Sequence, residues 1–219
     1  TDGRSLFLAG DGSITRWLLD PPRSETTVVG HADEAWALAF SPDGRTLASA
    51  CDMSKPGDTI KLWDAATGKL RRGWRIPQAM VTSLAFSPDG RTLASACFHP
   101  SDNLLLWDPA DGRLLASLQG HTERVRAVTY SADGRLLASG GTDRTIRLWD
   151  GRDCQPLLVL TGHNDAVRDI AFSLDGLTLA SASNDGTVRL WDLSEASTRQ
   201  VFRGPRKYIA VAFSPDGSS

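Results

Sequence analysis

An all-β chain made of four-stranded antiparallel units in tandem is predicted by three observations. A block of the form aromatic-Ser-x-Asp-Gly occurs five times, at Phe40–Gly44, Phe86–Gly90, Tyr130–Gly134, Phe172–Gly176 and Phe213–Gly217, with successive aromatics at intervals of 46, 44, 42 and 41. Two further markers keep step with it. Trp-Asp stands at Trp63-Asp64, Trp107-Asp108, Trp149-Asp150 and Trp191-Asp192, with Trp17-Leu18 as a weaker first copy, and Gly-His stands at Gly30-His31, Gly120-His121 and Gly162-His163. Between the markers lie short apolar runs bounded by turn residues. No stretch sustains a 3.6-residue apolar period with helix caps, so almost no helix is predicted.

One period shows the elements in order. Val125 to Tyr130 alternates apolar with polar side chains, as a half-buried strand does. Ser131-Ala132-Asp133-Gly134 follows as a tight turn, with glycine free to take positive φ. Leu136 to Gly140 makes a second strand, Asp143 opens a turn, and Thr145 to Trp149 makes a third. Pro156 to Leu160 is the fourth, ahead of the next Gly-His. Four short strands per period of these lengths match one blade of a β-propeller.

Composition narrows the class further. The 219 residues are enough to bury a sizeable core, with 41% hydrophobic and 23% charged residues, so disorder is excluded. Lys plus Arg number 24 against 26 Asp plus Glu, a net charge of −2 that gives no overall pull towards nucleic acid or anionic membrane. The longest apolar runs, such as Leu104 to Trp107, fall far short of the ~20 residues of a membrane helix, and the N-terminus carries no signal-type segment. The three cysteines, Cys51, Cys97 and Cys154, are odd in number and lack a Cys-x-x-Cys pair. They read as small buried hydrophobes in a reducing, cytoplasmic setting.

With Gly-His, the turn Asp and Trp-Asp in fixed order, the chain resembles the WD-repeat (WD40) β-propeller family over essentially its whole length. In that family a His, a Ser or Thr, the turn Asp and the strand Trp form a hydrogen-bonded group inside each blade. The resemblance implies the sets His121, Ser139, Asp143, Trp149 and His163, Ser181, Asp185, Trp191. His31, Ser49, Asp58 and Trp63 make a looser set, because Ser to Trp spans 14 residues rather than 10. Pro77 and Gly204 take the His position in two units, which are expected to be softer.

Thr1-Asp2-Gly3-Arg4 reads as the tail of a turn, followed by two or three strands ending near Val29, and Tyr208 to Phe213 reads as one final strand. Counting three at the start, the total is twenty strands, or five blades, with the ring closed by pairing of the N- and C-terminal strands. The units are then 1–29 with 205–219, 30–76, 77–119, 120–161 and 162–204. Five is fewer than the seven or eight blades usual in the family. The alternative, a part of a larger ring or of a long multi-propeller protein, stays open, and the start in mid-turn without Met favours it.

No enzyme is expected. His31, His121 and His163 are repeat markers, His99 sits in a loop insertion without metal-like partners, and the Asp-Gly pairs are turn chemistry. No nucleophile elbow, phosphate-cradling loop or zinc-protease motif is present, so no catalytic residue, metal or cofactor is assigned. Binding is better supported. The resemblance implies that one face, around the channel mouth, meets partners through the start of each inner strand and the residue before the turn Asp. Those positions are Glu34 and Trp36, Met80 and Thr82, Arg124 and Arg126, Ala166 and Arg168, Lys207 and Ile209, with Gly10, Thr142 and Asn184 before the turns. Trp36 is the sharpest, since the fold does not demand a Trp there; it either anchors a partner or packs under a neighbouring loop. Arg124, Arg126 and Arg168 either sit solvated or between blades, or grip an acidic or phosphorylated peptide. Nucleic acid is the weaker reading, because no basic groove with interleaved aromatics is visible. A protein- or peptide-binding scaffold follows, or else a regulatory module of a larger signalling kinase or NTPase.

Overall fold

The computed structural model describes residues 5–10, 13–19, 22–29, 31, 34–51, 57–98 and 103–214. Those residues form strands and no helix. The first sheet holds β1 (Ser5–Gly10), β2 (Ser13–Leu19) and β3 (Pro22–Val29), and the second holds β4 (Ala35–Phe40), β5 (Thr46–Cys51), β6 (Ile60–Asp64) and β7 (Leu70–Trp74). The third holds β8 (Met80–Phe86), β9 (Leu93–Phe98), β10 (Leu104–Trp107) and β11 (Leu114–Ser117). The fourth holds β12 (Val125–Tyr130), β13 (Leu136–Gly141), β14 (Ile146–Asp150) and β15 (Pro156–Leu160). The fifth holds β16 (Val167–Phe172), β17 (Thr178–Ser183), β18 (Thr187–Asp192) and β19 (Ser197–Arg203). Strands pair antiparallel with their sequence neighbours in every sheet. The innermost strands of successive sheets, β4, β8, β12 and β16, pack side by side, as blades around an axis do.

The core lies between blades. Second strands such as Leu93–Phe98 and Thr178–Ser183 are buried along nearly their whole length rather than on alternate residues. They are covered on both faces by neighbouring blades, which is why Leu-Ala-Ser-Ala replaces an alternating pattern there. Ile60, Leu62, Leu93 and Leu105 join one such layer, Leu104, Val125 and Leu137 the next, and Ile146, Val167 and Leu179 another. Each large aliphatic fully buried in these layers contributes about 1.5–3 kcal/mol. The hairpin turns are identical in mechanism. Asp43 Oδ1 accepts from Ser41 Oγ (2.6 Å) and the Arg45 amide (3.0 Å), while Gly44 takes φ +68°. Gly90, Gly134 and Gly176 repeat that conformation at +71°, +70° and +70°.

One irregularity recurs and matters for the site. The inner hairpin bulges at Trp36, Thr82, Arg126 and Arg168, each of which drops out of the ladder register. A bulge bends the strand and re-aims the extra side chain.

The chain ends depart from the expected ring. No strand forms over Tyr208–Phe213, and β1 has a ladder to β2 alone among the described residues, so closure by terminal pairing is not seen. Thr1 and Ser219 lie outside the described residues. The physical reason is that a strand needs a partner for its ladder, and residues 204–214 are held by other bonds. The Tyr208 amide donates to Ser183 O (3.1 Å) and the Val211 amide to Asp169 Oδ2 (2.9 Å). The Val128 amide makes the corresponding bond to Ser83 Oγ (3.3 Å) between two complete blades. The segment therefore lies where the next inner strand belongs, tethered by Asp169. Asp169→Ala is expected to release it, seen as faster proteolytic cleavage between residues 204 and 214 with a stability loss of about 1–2 kcal/mol. Unchanged cleavage would show that the tether is idle.

Candidate partner-binding face

Beneath the face each blade is pinned by a chain of polar groups. In the blade of β16–β19, Trp191 Nε1 donates to Ser181 Oγ (2.8 Å), Ser181 Oγ lies 2.7 Å from His163 Nε2, and His163 Nδ1 lies 2.9 Å from Asp185 Oδ2. An indole can only donate, so Ser181 accepts from it and turns its own hydrogen to Nε2. A neutral imidazole then donates from Nδ1 to the carboxylate. Burial lowers the proton affinity of His163 against the pull of Asp185, in keeping with that neutral form. Burial pushes the Asp185 carboxyl up, but bonds from Thr187, Asn164 and His163 outweigh it and hold the group well below the usual carboxylate range.

The blade of β12–β15 repeats the chain, with Trp149 to Ser139 at 3.0 Å, Ser139 to His121 at 2.8 Å and His121 to Asp143 at 2.9 Å. There, too, burial raises the Asp143 carboxyl while bonds from His121 and Thr145 bring it down to about 2. In the blade of β4–β7, Ser49 Oγ meets both Trp63 Nε1 (2.7 Å) and His31 Nε2 (2.6 Å). Asp58 does not complete this set. Its carboxylate lies against Gly73, and the buried His31 Nδ1 has no hydrogen-bond partner. The longer β5–β6 connection moves the turn carboxylate away from the imidazole. In the blade of β8–β11, with Pro77 in the His position, Trp107 Nε1 still donates to Ser95 Oγ (2.9 Å), and Trp74 of the neighbouring blade packs on the indole with ring centroids 5.8 Å apart.

Above this frame stand the bulged residues of the four inner strands. Trp36 is 58% exposed, and Glu34 beside it is exposed. Met80 is half-buried, opposite Phe98 in the ladder. The Thr82 hydroxyl is used internally, donating to Ala96 O (3.2 Å) and to Val125 O of the next blade (2.9 Å). The amides of Thr142 and Asn184 donate to Arg124 O (2.8 Å) and Ala166 O (3.0 Å), which fastens the turn residues to the inner-strand starts. Ala166 is buried, whereas Lys207 and Ile209 are exposed. Gly10 ends β1, and His99 lies outside the described residues.

Arg126 and Arg168 stand at equivalent bulge positions of the neighbouring strands β12 and β16, with Arg124 just ahead of β12. Burial, then the charge of Arg168, then that of Arg124, lower the pKa of Arg126. The Arg126 Nε is buried without an acceptor, and such a donor costs about 1–3 kcal/mol until an acceptor arrives. The Arg124 guanidinium lies 3.8 Å from the centroid of the Phe98 ring. Phe98, 42% exposed, is a face residue that sequence reasoning missed. Counting from the turn Asp hides it, because its loop is lengthened. Counting from Leu-Ala-Ser-Ala would have found it, since it follows Cys97 as Thr142 follows Gly141 and Asn184 follows Ser183.

Four-stranded blades stacked through small-residue strands, each pinned by a Trp–Ser pair and two by a full Trp–Ser–His–Asp chain, define a β-propeller of the repeat-built class. A family model described as IFT122 first beta-propeller matches residues 81–219, and one described as WD domain, G-beta repeat matches residues 23–64. The chain belongs to the WD-repeat β-propeller family. It is also similar to an uncharacterized WD repeat-containing protein of Synechocystis sp., at 41% identity over 70 residues, which is 32% of this chain and 19% of the relative's length.

Proposed function

We propose that the protein is a non-catalytic scaffold that binds a protein or peptide segment, acidic or phosphorylated in character, across the mouth of its blades. WD-repeat propellers generally mediate protein interactions, which supports the coarse reading. The observation that supports the finer one is the placing of Trp36, Arg126 and Arg168 at equivalent bulge positions of β4, β12 and β16, of which β12 and β16 are neighbours while β8 stands between β4 and β12. Bulges in a packed sheet hold these side chains in register, so little ordering entropy is lost on binding. Exposed Trp and Arg side chains are the composition of interface anchors. The cysteine pattern favours a cytoplasmic setting.

Affinity capture from the source cells tests this, with the parent, Trp36→Ala and Arg126→Glu as baits. Both variants are expected to lose partner recovery by about tenfold or more, while unfolding free energy stays within roughly 0.5 kcal/mol of the parent. Variants that capture like the parent would overturn the assignment of this face. A second reading is that these blades are a regulatory part of a larger signalling protein or ring. It leaves the same face available.

A further inference from the structure

We propose that a groove between the blades of β4–β7 and β8–β11, on the side of the Ser-Asp-Gly turns, binds an extended peptide segment in which an acidic residue adjoins an aromatic one. The groove lies at the ends of β4 and β8 away from the bulged Trp36 and Thr82, so it is a second site, separate from the mouth.

In three blades the turn that follows Trp-Asp is tied down by its first amide. The Ala65 amide donates to Arg45 O (3.0 Å), that of Gly151 to Arg135 O (2.7 Å) and that of Leu193 to Leu177 O (3.0 Å). In the blade of β8–β11 the same position is Pro109, which has no N–H, so the corresponding bond to Arg91 O is not made. A cavity of about 790 Å³ opens beside that turn, within the roughly 300–1,000 Å³ of ligand pockets. Leu62, the half-buried Phe86, Pro42, Pro88 and Pro109 give it apolar lining. Proline and phenyl rings are rigid surfaces without donors, and an aromatic side chain packs on them with little ordering of the protein.

Charge selects the second group. Arg71 Nη2 meets Asp64 Oδ2 (2.6 Å), and Arg113 Nε lies 3.8 Å from Asp111 Oδ2. The rim carboxylates Asp43 and Asp89 feel the charges of Arg45 and Arg91. Arg72 differs. It lines the cavity, its one hydrogen bond runs from Nη1 to the neutral Asp111 O (3.1 Å), and it has no ion pair among the described residues. Its fork keeps donors for a carboxylate, which arginine grips bidentately. Asp43 and Asp89 on the rim repel a dianion more than a single negative charge, so a carboxylate suits the groove better than a phosphate. The bond to Asp111 O also holds Arg72 of one blade against the turn of the next, which keeps the cation beside the apolar lining.

The test titrates the protein into a labelled Gly-Ser peptide holding one Asp-Phe pair, with Asn-Phe and Asp-Ala counterparts, read by fluorescence anisotropy. The Asp-Phe peptide is expected to bind about fivefold or more tighter than either counterpart, and its margin over Asn-Phe should narrow as salt rises. Arg72→Gln should erase the margin between Asp-Phe and Asn-Phe. Pro109→Ala should weaken Asp-Phe several-fold, because the restored amide can tie the turn to Arg91 O. Arg72 is exposed and Pro109 half-buried, so both variants are expected to fold, which thermal unfolding checks. Trp36→Ala, at the mouth, should leave all three affinities unchanged. Equal affinities for Asp-Phe and Asn-Phe, a margin that survives Arg72→Gln, or a Pro109→Ala protein that binds like the parent would overturn the groove. Binding lost in Trp36→Ala but kept in Arg72→Gln would place the peptide at the mouth, which sinks the groove and keeps the face. If no peptide binds, the groove also falls, and the capture experiment judges the face separately.

Discussion

Replacing Ser181 with alanine is expected to cost about 3 kcal/mol and to lower Tm by roughly 6–12 °C. Ser181 is fully buried, accepts from Trp191 Nε1 and meets His163 Nε2. Removing its single oxygen therefore strands two ring nitrogens where water cannot reach them, and a stranded buried polar group costs about 1–3 kcal/mol. The lost methylene-sized volume is minor beside that. The informative control is Ser95→Ala. There the His position is Pro77, so only Trp107 Nε1 loses its acceptor and the cost should be about half. Chemical denaturation of the parent and both variants measures the difference. Equal losses at the two serines would show that His163 adds nothing to the blade, and a loss below about 1 kcal/mol at Ser181 would remove the closed network as a source of stability.

Acidification should destabilise the protein in two stages, the first belonging to His31. Burial, then the Lys61 charge, lower the His31 pKa from 6.5 to about 4, against a smaller opposing pull from Asp58. The unfolded chain therefore binds more protons than the folded one between those values. Stability from this group is complete above pH 6.5 and falls as pH drops towards 4, by about 2 kcal/mol after allowing for solvent screening. Burial lowers His163 as well, opposed by Asp185 at its Nδ1, whereas His31 Nδ1 has no partner. The second stage comes at lower pH. Asp143, held at about 2, contributes stability above its ordinary value near 3.8 and loses it as pH falls through 2. Unfolding free energy measured across pH 7 to 4 for the parent and His31→Gln checks the first stage. A flat parent curve, or an unchanged slope in His31→Gln, would exclude His31 as its source.

Much of this fold was legible because its chemistry is local. The Ser-Asp-Gly turns follow from residue type and spacing, and the Trp149 and Trp191 sets from the family resemblance carried by markers within one unit. Where a unit departs from that spacing, legibility fails. Ser49 to Trp63 spans 14 residues rather than 10, and Asp58 turns to Gly73 instead of His31. Phe98 was hidden by the same kind of loop insertion. Tyr208 to Phe213 has the right alternation for a strand, yet alternation states only which face is buried, and a ladder partner is a property of the assembled sheet.

The sequence by itself determined the period, the four strands of the repeated unit and the turn glycines, and its markers carried the resemblance that implied the pairs inside a blade. Those partners lie close along the chain, so markers within one unit reach them. Tertiary structure decided that Arg124 rests on Phe98 of another blade and that Asp169 holds the amide of Val211. Those contacts join different blades, and their geometry depends on how tightly whole sheets pack through their small-residue strands, which no single repeat encodes.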